Sequence, residues 1–287
     1  MPEQFALKLV DLPVGAKKTV TLDETKILLI RTEDLATGAP ALFALEAECP
    51  HAKAPLEKGA ICNGRLVCPW HTGTFALETG ALLEPPPLRD LHRYAVRLFG
   101  DDLLVDPTPI PKAKPAPMAA DKHIVFAGAG AATAAGLAYL RDVGFAGTVT
   151  VIDPEMDEPI DRTQLTKAAL AGKKPLEQLP IFSTPGQANP AEGREPLEPL
   201  RLQHIKAHVT ALDLDASTIS IGDRKETFDA LLLATGGLPK RPDLPGADLP
   251  HVFTIRHSAD LRRMEPLLGG VGAVSYTHLT LPTIYSV

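Results

Sequence analysis

The sequence predicts a multi-domain chain in which an all-β domain is followed by an incomplete α/β domain. Three observations carry this expectation. Up to about residue 107 the apolar runs are short and are cut by Gly, Pro and Asp, the rhythm of strands and tight turns. Between Pro107 and Pro117 five of eleven residues are proline, with Lys112 and Lys114 among them, and apolar periodicity disappears. After it the order becomes strand, glycine turn, helix and strand, which is α/β order. A length of 287 residues is enough for two cores.

In the first domain, residues 1–107, the runs Lys26-Ile27-Leu28-Leu29-Ile30, Ala41-Leu42-Phe43-Ala44-Leu45 and Tyr94-Ala95-Val96-Arg97-Leu98 are read as strands. Between the second and third lie two like-patterned loops, Cys49-Pro50-His51 and Cys68-Pro69-Trp70-His71, each supplying one cysteine and one histidine. Two thiolates for one iron and two imidazoles for the other form the ligand set of a Rieske [2Fe–2S] cluster. Cys49, His51, Cys68 and His71 are therefore the candidate metal ligands. A tetrahedral zinc site takes the same residue types. Zinc modules usually put both cysteines on one turn and both histidines on another, whereas each loop here carries one of each and can straddle a two-iron core. The proline after each cysteine suits a tight loop. Cys62, the third cysteine, lacks a histidine at matching spacing and is expected to be a small core residue or a free thiol.

The stretch from Cys49 to about Pro107 resembles Rieske-type ferredoxins through Cys49-Pro50-His51, Ala54-Pro55-Leu56, Leu66-Val67-Cys68-Pro69-Trp70-His71, Phe75 and Thr79-Gly80. High-potential members carry an additional cysteine in each loop, joined as a disulfide, near the positions of Lys53 and Trp70. This chain has no such pair, and the resemblance places its cluster toward the lower end of a range of about −150 to +300 mV.

Residues 108–120 are expected to form a semi-rigid, proline-rich linker. The second domain, residues 121–273, opens with the strand His123-Ile124-Val125-Phe126-Ala127, turns at Gly128-Ala129-Gly130 and enters the alanine-rich helix from Ala131 to Arg141. Such a turn brings backbone N–H groups and a helix N-terminus against a pyrophosphate, so Gly128, Gly130 and Ala132 are candidate cofactor contacts in a Rossmann-like unit. Thr133 stands where the third glycine of the G-x-G-x-x-G pattern falls. The second strand, Thr148-Val149-Thr150-Val151-Ile152-Asp153, ends in an acid 23 residues beyond Gly130, placed to bond a ribose hydroxyl. The apolar run ending in Thr235-Gly236-Gly237 is a further strand, and its glycine turn makes Thr235 and Gly236 candidates at the carboxyl end of a parallel sheet.

From about Asp121 to Met264 the chain resembles the FAD domain of the ferredoxin-reductase and apoptosis-inducing-factor-like family. The resemblance rests on Gly128-Ala129-Gly130-Ala131-Ala132, on Pro159-Ile160-Asp161-Arg162 with Leu165-Thr166-Lys167, on Phe228-Asp229-Ala230-Leu231-Leu232-Leu233-Ala234-Thr235-Gly236-Gly237, and on Pro245 to Val252. It implies FAD, puts the ribose acid at Glu155 where the strand-end rule chooses Asp153, and places Arg162 and Lys167 near the flavin, where a cation stabilises the reduced ring. The proline-rich segment from Pro175 to Pro199 departs from the family pattern. Family members continue into a second glycine-rich unit that binds NAD(P)H. This chain instead ends in Val274-Ser275-Tyr276-Thr277-His278-Leu279-Thr280-Leu281-Pro282-Thr283 and four more residues, a string that resembles the translation of a transposase adapter used in sequencing libraries. Residues 274–287 are thus expected to be non-native.

Lys and Arg number 29 against 35 Asp and Glu, a net charge of −6, and basic residues are not clustered with aromatic ones, which argues against nucleic-acid binding. Apolar runs fall short of the roughly 20 residues of a membrane span. Three cysteines, a start without a secretory signal and at least two thiols committed to iron point to a cytoplasmic, reducing location. The resemblances together imply an oxidoreductase: NAD(P)H reduces FAD, and single electrons leave through the Rieske cluster to an acceptor protein such as an oxygenase or a cytochrome. The alternative is a non-enzymatic electron carrier or redox-responsive interaction protein with a vestigial nucleotide-binding domain.

Overall fold

Strand β3 explains the first domain. It spans Thr25–Glu33, and its four central residues are all buried, unlike a half-exposed strand that alternates. Leu28 and Ile30 face one core, with Leu45, Leu66 and Phe75, while Ile27 and Leu29 face another, with Leu12, Leu103 and Val105. A strand covered on both faces needs a continuous apolar run, and Ile27-Leu28-Leu29-Ile30 supplies it.

The structure, a computed structural model, describes residues 3–34, 37–113, 115–155, 157, 159–182, 200–241 and 243–268. In the first domain β1 (Gln4–Lys8), β9 (Tyr94–Phe99) and β10 (Asp102–Pro109) form an antiparallel sheet in the order β1-β10-β9. A second antiparallel sheet holds β2 (Lys17–Leu22), β3 and β4 (Pro40–Glu46). A third runs through β5 (Ala60–Cys62), β6 (Arg65–Val67), β7 (Thr74–Ala76) and β8 (Leu82–Glu84). The first Cys/His loop leaves β4, and the second joins β6 to β7. Cys62, at the end of β5, is an exposed free thiol, so the surface and not the core takes it. β10 runs through Pro107 to Pro109, and Ile110 then donates to the Arg93 carbonyl.

The second domain is built on a parallel sheet in the order β13-β12-β11-β17. The strands are β11 (His123–Ala127), β12 (Thr148–Asp153), β13 (Arg201–Lys206) and β17 (Ala230–Leu233). Helix α1 (Ala131–Asp142) connects β11 to β12, a βαβ unit. Phe126, Val149 and Val151 face α1 through Ala134 and Leu137. Val125, Ala127 and Ile152 face the other side, where Ile219 and Ile221 cover them from an antiparallel meander of β14 (Ala211–Asp213), β15 (Thr218–Ile221) and β16 (Arg224–Thr227). Helix α2 (Ser258–Leu268) follows, with Leu261 buried against Ile160 and Leu165. Among the described residues no helix is long and apolar enough to cross a membrane. The adapter-like tail 274–287 and most of the proline-rich segment, residues 183–199, lie outside the described residues.

Candidate cluster and nucleotide sites

The two Cys/His loops share one backbone template. In the first, the Cys49 N–H donates to the Ala54 carbonyl at 2.9 Å and the Lys53 N–H to the Cys49 carbonyl at 2.8 Å. In the second, the Cys68 N–H donates to the Gly73 carbonyl at 2.9 Å and the Thr72 N–H to the Cys68 carbonyl at 3.2 Å. Both loops turn at the fourth residue after the cysteine, with φ of 61° at Lys53 and 59° at Thr72. These are left-handed conformations in residues with a Cβ, so the closed loops hold backbone strain.

This template buries both cysteines and leaves both histidines nearer the surface. Cys49 and Cys68 are 1% and 2% exposed and belong to the core with Leu45, Leu66 and Phe75. His51 is half-buried and His71 exposed, with ring centroids 4.7 Å apart in an edge-on arrangement. Burial pushes the Cys49 thiol up to about 12; the neighbouring Cys68 adds to the rise, and the backbone N–H groups of His51 and Ala52 pull the other way. Iron binding reverses that balance, because a coordinating thiol loses its proton. Among the described residues no three His, Cys, Asp or Glu side chains converge on a point where one ion could sit. A two-iron cluster divides its ligands into a thiolate pair and an imidazole pair, and those pairs are what the loops bring together. The donor set fits a [2Fe–2S] cluster. On the far side of the second loop, a Cβ at Gly73 would lie 2.6 Å from the Pro87 ring.

In the second domain the glycine turn lies at the carboxyl end of the parallel sheet. Gly128 has φ of 107°, and a Cβ there would meet the Ala234 carbonyl oxygen at 2.2 Å and the Thr235 Cα at 3.2 Å. Gly128, Thr235 and Gly236 thus converge, as two strand ends press together. Ala132 is exposed in the first turn of α1, whose N-cap, Gly130, offers no side chain to the helix's free N–H groups. Thr133 is fully buried, and its hydroxyl donates to the Gly128 carbonyl at 2.5 Å. The close approach of helix to strand that the third glycine of the motif provides falls one turn later. A Cβ at Gly136 would lie 2.6 Å from the Phe126 ring.

Two arginines lie over these glycines. A Cβ at Gly130 would be 3.0 Å from Arg162 Nη1, and one at Gly236 would be 2.3 Å from Arg256 Nη2. The Nε atoms of both are buried without a hydrogen-bond partner. Arg162 also pairs with the Glu155 carboxylate, which His257 joins through Nδ1 at 2.7 Å. Asp153, 5% exposed, accepts the Glu155 N–H and holds the turn after β12. Lys167 is exposed on a short π-helical turn, Leu165–Ala169, and among the described residues no ion pair joins it to this group. The structure therefore gathers Gly128, Gly130, Glu155, Arg162, Thr235 and Gly236, with Asp153 beneath. Sequence reasoning missed Arg256 and His257. Their signal was Ser258-Ala259-Asp260 after them, since Asp260 accepts the N–H groups of both residues as α2 begins. A glycine cradle with two guanidinium groups against it fits the pyrophosphate of a dinucleotide.

Comparison with known proteins finds a family for each part of the chain. Residues 3–95 match the Rieske [2Fe-2S] domain and residues 122–272 match the pyridine nucleotide-disulphide oxidoreductase family. The chain is 31% identical over 278 residues to apoptosis-inducing factor 3 of Mus musculus, covering 92% of this chain and 43% of that protein. It is 31% identical over 97 residues to the biphenyl dioxygenase ferredoxin subunit of Pseudomonas sp. (strain KKS102), covering 33% of this chain and 84% of that one. It is 34% identical over 143 residues to the chlorobenzene dioxygenase, ferredoxin reductase component, of Cupriavidus sp. (strain PS12), covering 49% and 32%. The chain spans under half the length of the apoptosis-inducing factor it matches. A Rieske domain holds a [2Fe–2S] cluster, and a reductase domain of this kind implies FAD and NAD(P)H. The chain belongs to the pyridine nucleotide-disulphide oxidoreductases, with a Rieske [2Fe-2S] domain ahead of the reductase domain.

Proposed function

We propose that the whole protein passes electrons from NAD(P)H through FAD to the Rieske cluster and on to an acceptor protein. The observation that carries this is the glycine cradle under the guanidinium groups of Arg162 and Arg256, whose buried Nε atoms have no hydrogen-bond partner, in the same chain as the paired Cys/His loops. When bound, FAD takes two electrons together from a nicotinamide and releases them singly, which a one-electron cluster requires. The residues of this chain supply the binding. Gly128, Gly130 and the first turn of α1 at Ala132 offer backbone N–H groups to the pyrophosphate, and Arg162 and Arg256 neutralise its charge. Glu155 faces the ribose hydroxyls, while Asp153 fixes the turn that presents it. Thr235 and Gly236 close the cradle from the neighbouring strand, and Lys167 stands on the flavin side. In the first domain Cys49 and Cys68 hold one iron and His51 and His71 the other. The exposed His71, with Trp70 beside it, makes the surface through which an oxygenase, a cytochrome or another redox protein would take the electron.

The test is cofactor content and affinity. Arg162→Ala and Arg256→Ala should each weaken FAD binding by about tenfold or more, the worth of one charged hydrogen bond, and leave the cluster absorbance unchanged. Cys68→Ser should abolish the cluster spectrum and leave the flavin in place. Rieske absorption without any FAD binding by the full-length parent protein, and no reduction by NADH or NADPH, would replace this reading with that of a simple electron carrier.

A further inference from the structure

The segment Pro85–Asp90 belongs to the first domain by sequence, yet it reaches into the second. Pro87 is buried and fills the space beside Gly73 in the second ligand loop. The next residue, Leu88, packs against the α/β core cluster that contains Leu137, Phe145 and Val149. Its carbonyl accepts from Arg141 Nη2 at 3.3 Å. Arg89 then turns back into the first domain, where its guanidinium grips both carboxylate oxygens of Glu46 at 2.7 and 2.8 Å, three residues before Cys49. Asp90 pairs with Lys112 of the linker at 2.7 Å. A short stretch is thus anchored to the second cluster loop and to the end of β4 that leads into the first on one side, and to the reductase core on the other.

The position of this contact matters. Helix α1 begins at the glycine turn, at the carboxyl end of the sheet, and Arg141 lies at its far end, beside the amino ends of the strands. Ten residues of helix lie between Gly130 and Arg141, a separation of about 16 Å along the axis. Among the described residues Leu88 is the one side chain of the first domain packed into the core beneath α1, and a cleft of about 580 Å³ stays open beside it between Arg89–Arg93, Pro109–Ala113 and Arg141. Interfaces of this kind between domains of one chain open and close unless they are large and apolar.

We propose that Leu88 and Arg141 form a reversible latch that seats the cluster domain at the amino end of the parallel sheet, away from the nucleotide cradle, and that electron transfer within the chain proceeds from the released state. Leu88 and Arg141 are positioning residues and touch neither cofactor site. The proposal takes the electron path from the function proposed above, and only its second readout depends on that path.

The test compares the full chain with Leu88→Ser, Arg141→Ala and Arg141→Lys. The first readout is tryptic cleavage after Lys112 in the linker, with the cluster absorbance verifying that the first domain is folded. Leu88→Ser and Arg141→Ala should raise the cleavage rate by about tenfold, because cleavage follows the opened population, while Arg141→Lys keeps a donor for the Leu88 carbonyl and stays near the parent rate. The second readout is the rate at which photoreduced flavin gives one electron to the oxidised cluster, turning one ferric ion ferrous; the two opening variants should be faster. Unchanged cleavage in both would overturn the latch. Faster cleavage with slower cluster reduction would overturn the parked position and make the seat the productive one. Failure of the protein to bind flavin counts against the proposed function, and the cleavage arm still decides whether the latch exists.

Discussion

At the scale of single residues, the nucleotide turn shows how a sequence can depart from a motif and keep its geometry. Thr133 replaces the third glycine, but its hydroxyl closes on the Gly128 carbonyl, and the close helix–strand contact moves to Gly136 against Phe126. In an exposed helix, Gly→Ala gains about 1 kcal/mol from propensity. At Gly136 the added methyl would enter a buried aromatic ring, and overpacking of that kind costs about 1–3 kcal/mol. Gly136→Ala should therefore be net destabilising by about 1 kcal/mol, read as a lower urea midpoint at unchanged slope. Thr133→Val, which leaves the Gly128 carbonyl without its partner, should cost about 1–2 kcal/mol, and Thr133→Ser should recover most of it. An unchanged midpoint in Gly136→Ala would mean that Phe126 yields without cost.

At the scale of elements, the legible parts of the chain were those whose pattern is local. The runs at Lys26–Ile30, Ala41–Leu45 and Tyr94–Leu98 lie within β3, β4 and β9, and β11, α1 and β12 follow from an apolar strand, a glycine turn and a second apolar strand. The meander of β14, β15 and β16 was not legible. Its strands are three or four residues long, largely charged or polar, and only Ile219 and Ile221 alternate inward. The cysteines and histidines could be read because each loop repeats the other. Arg256 and His257 could not, because they reach the site from about a hundred residues beyond Glu155 through tertiary packing. The same packing fixes α2. Arg262 forks onto both oxygens of Asp157 at 2.7 Å, and the Ser258 hydroxyl also donates to it. Arg262 holds the Asp157 carboxyl below the usual carboxylate range, with burial opposing and Ser258 assisting. A carboxylate whose folded value is depressed adds stability that is complete above its unfolded value, about 3.9, and fades as the pH falls toward the folded one. Asp157→Asn should thus destabilise by up to about 1 kcal/mol at pH 7, because the pair is partly solvent-screened. The gap between parent and variant should narrow as the pH drops below about 4; a gap that stays constant in acid would show that Asp157 contributes through shape and not charge.

At the scale of the whole molecule, the two sites are separate in the way that their ligands are held. The cluster ligands all come from two loops within residues 49–71, over the core shared by Leu28, Leu66 and Phe75. The cradle is drawn from β11, β12, β17 and the approach to α2, over cores of which Leu88 of the first domain joins the one beneath α1. Each domain therefore has its own reason to be folded, and ligand linkage should act on one at a time. A ligand that binds only the native state at 100 times its dissociation constant stabilises that state by about 2.7 kcal/mol. FAD at that excess should raise the thermal transition of the α/β domain and leave that of the all-β domain in place. Loss of the cluster by chelation or by Cys68→Ser should do the reverse, lowering the all-β transition alone, because the metal bonds tie the two loops to each other. Differential scanning calorimetry of the chain, with and without each cofactor, separates these cases. A single transition that moves as a whole with either ligand would show that Leu88 and Arg141 join the domains into one cooperative unit, and that the contact at the amino end of the sheet is permanent.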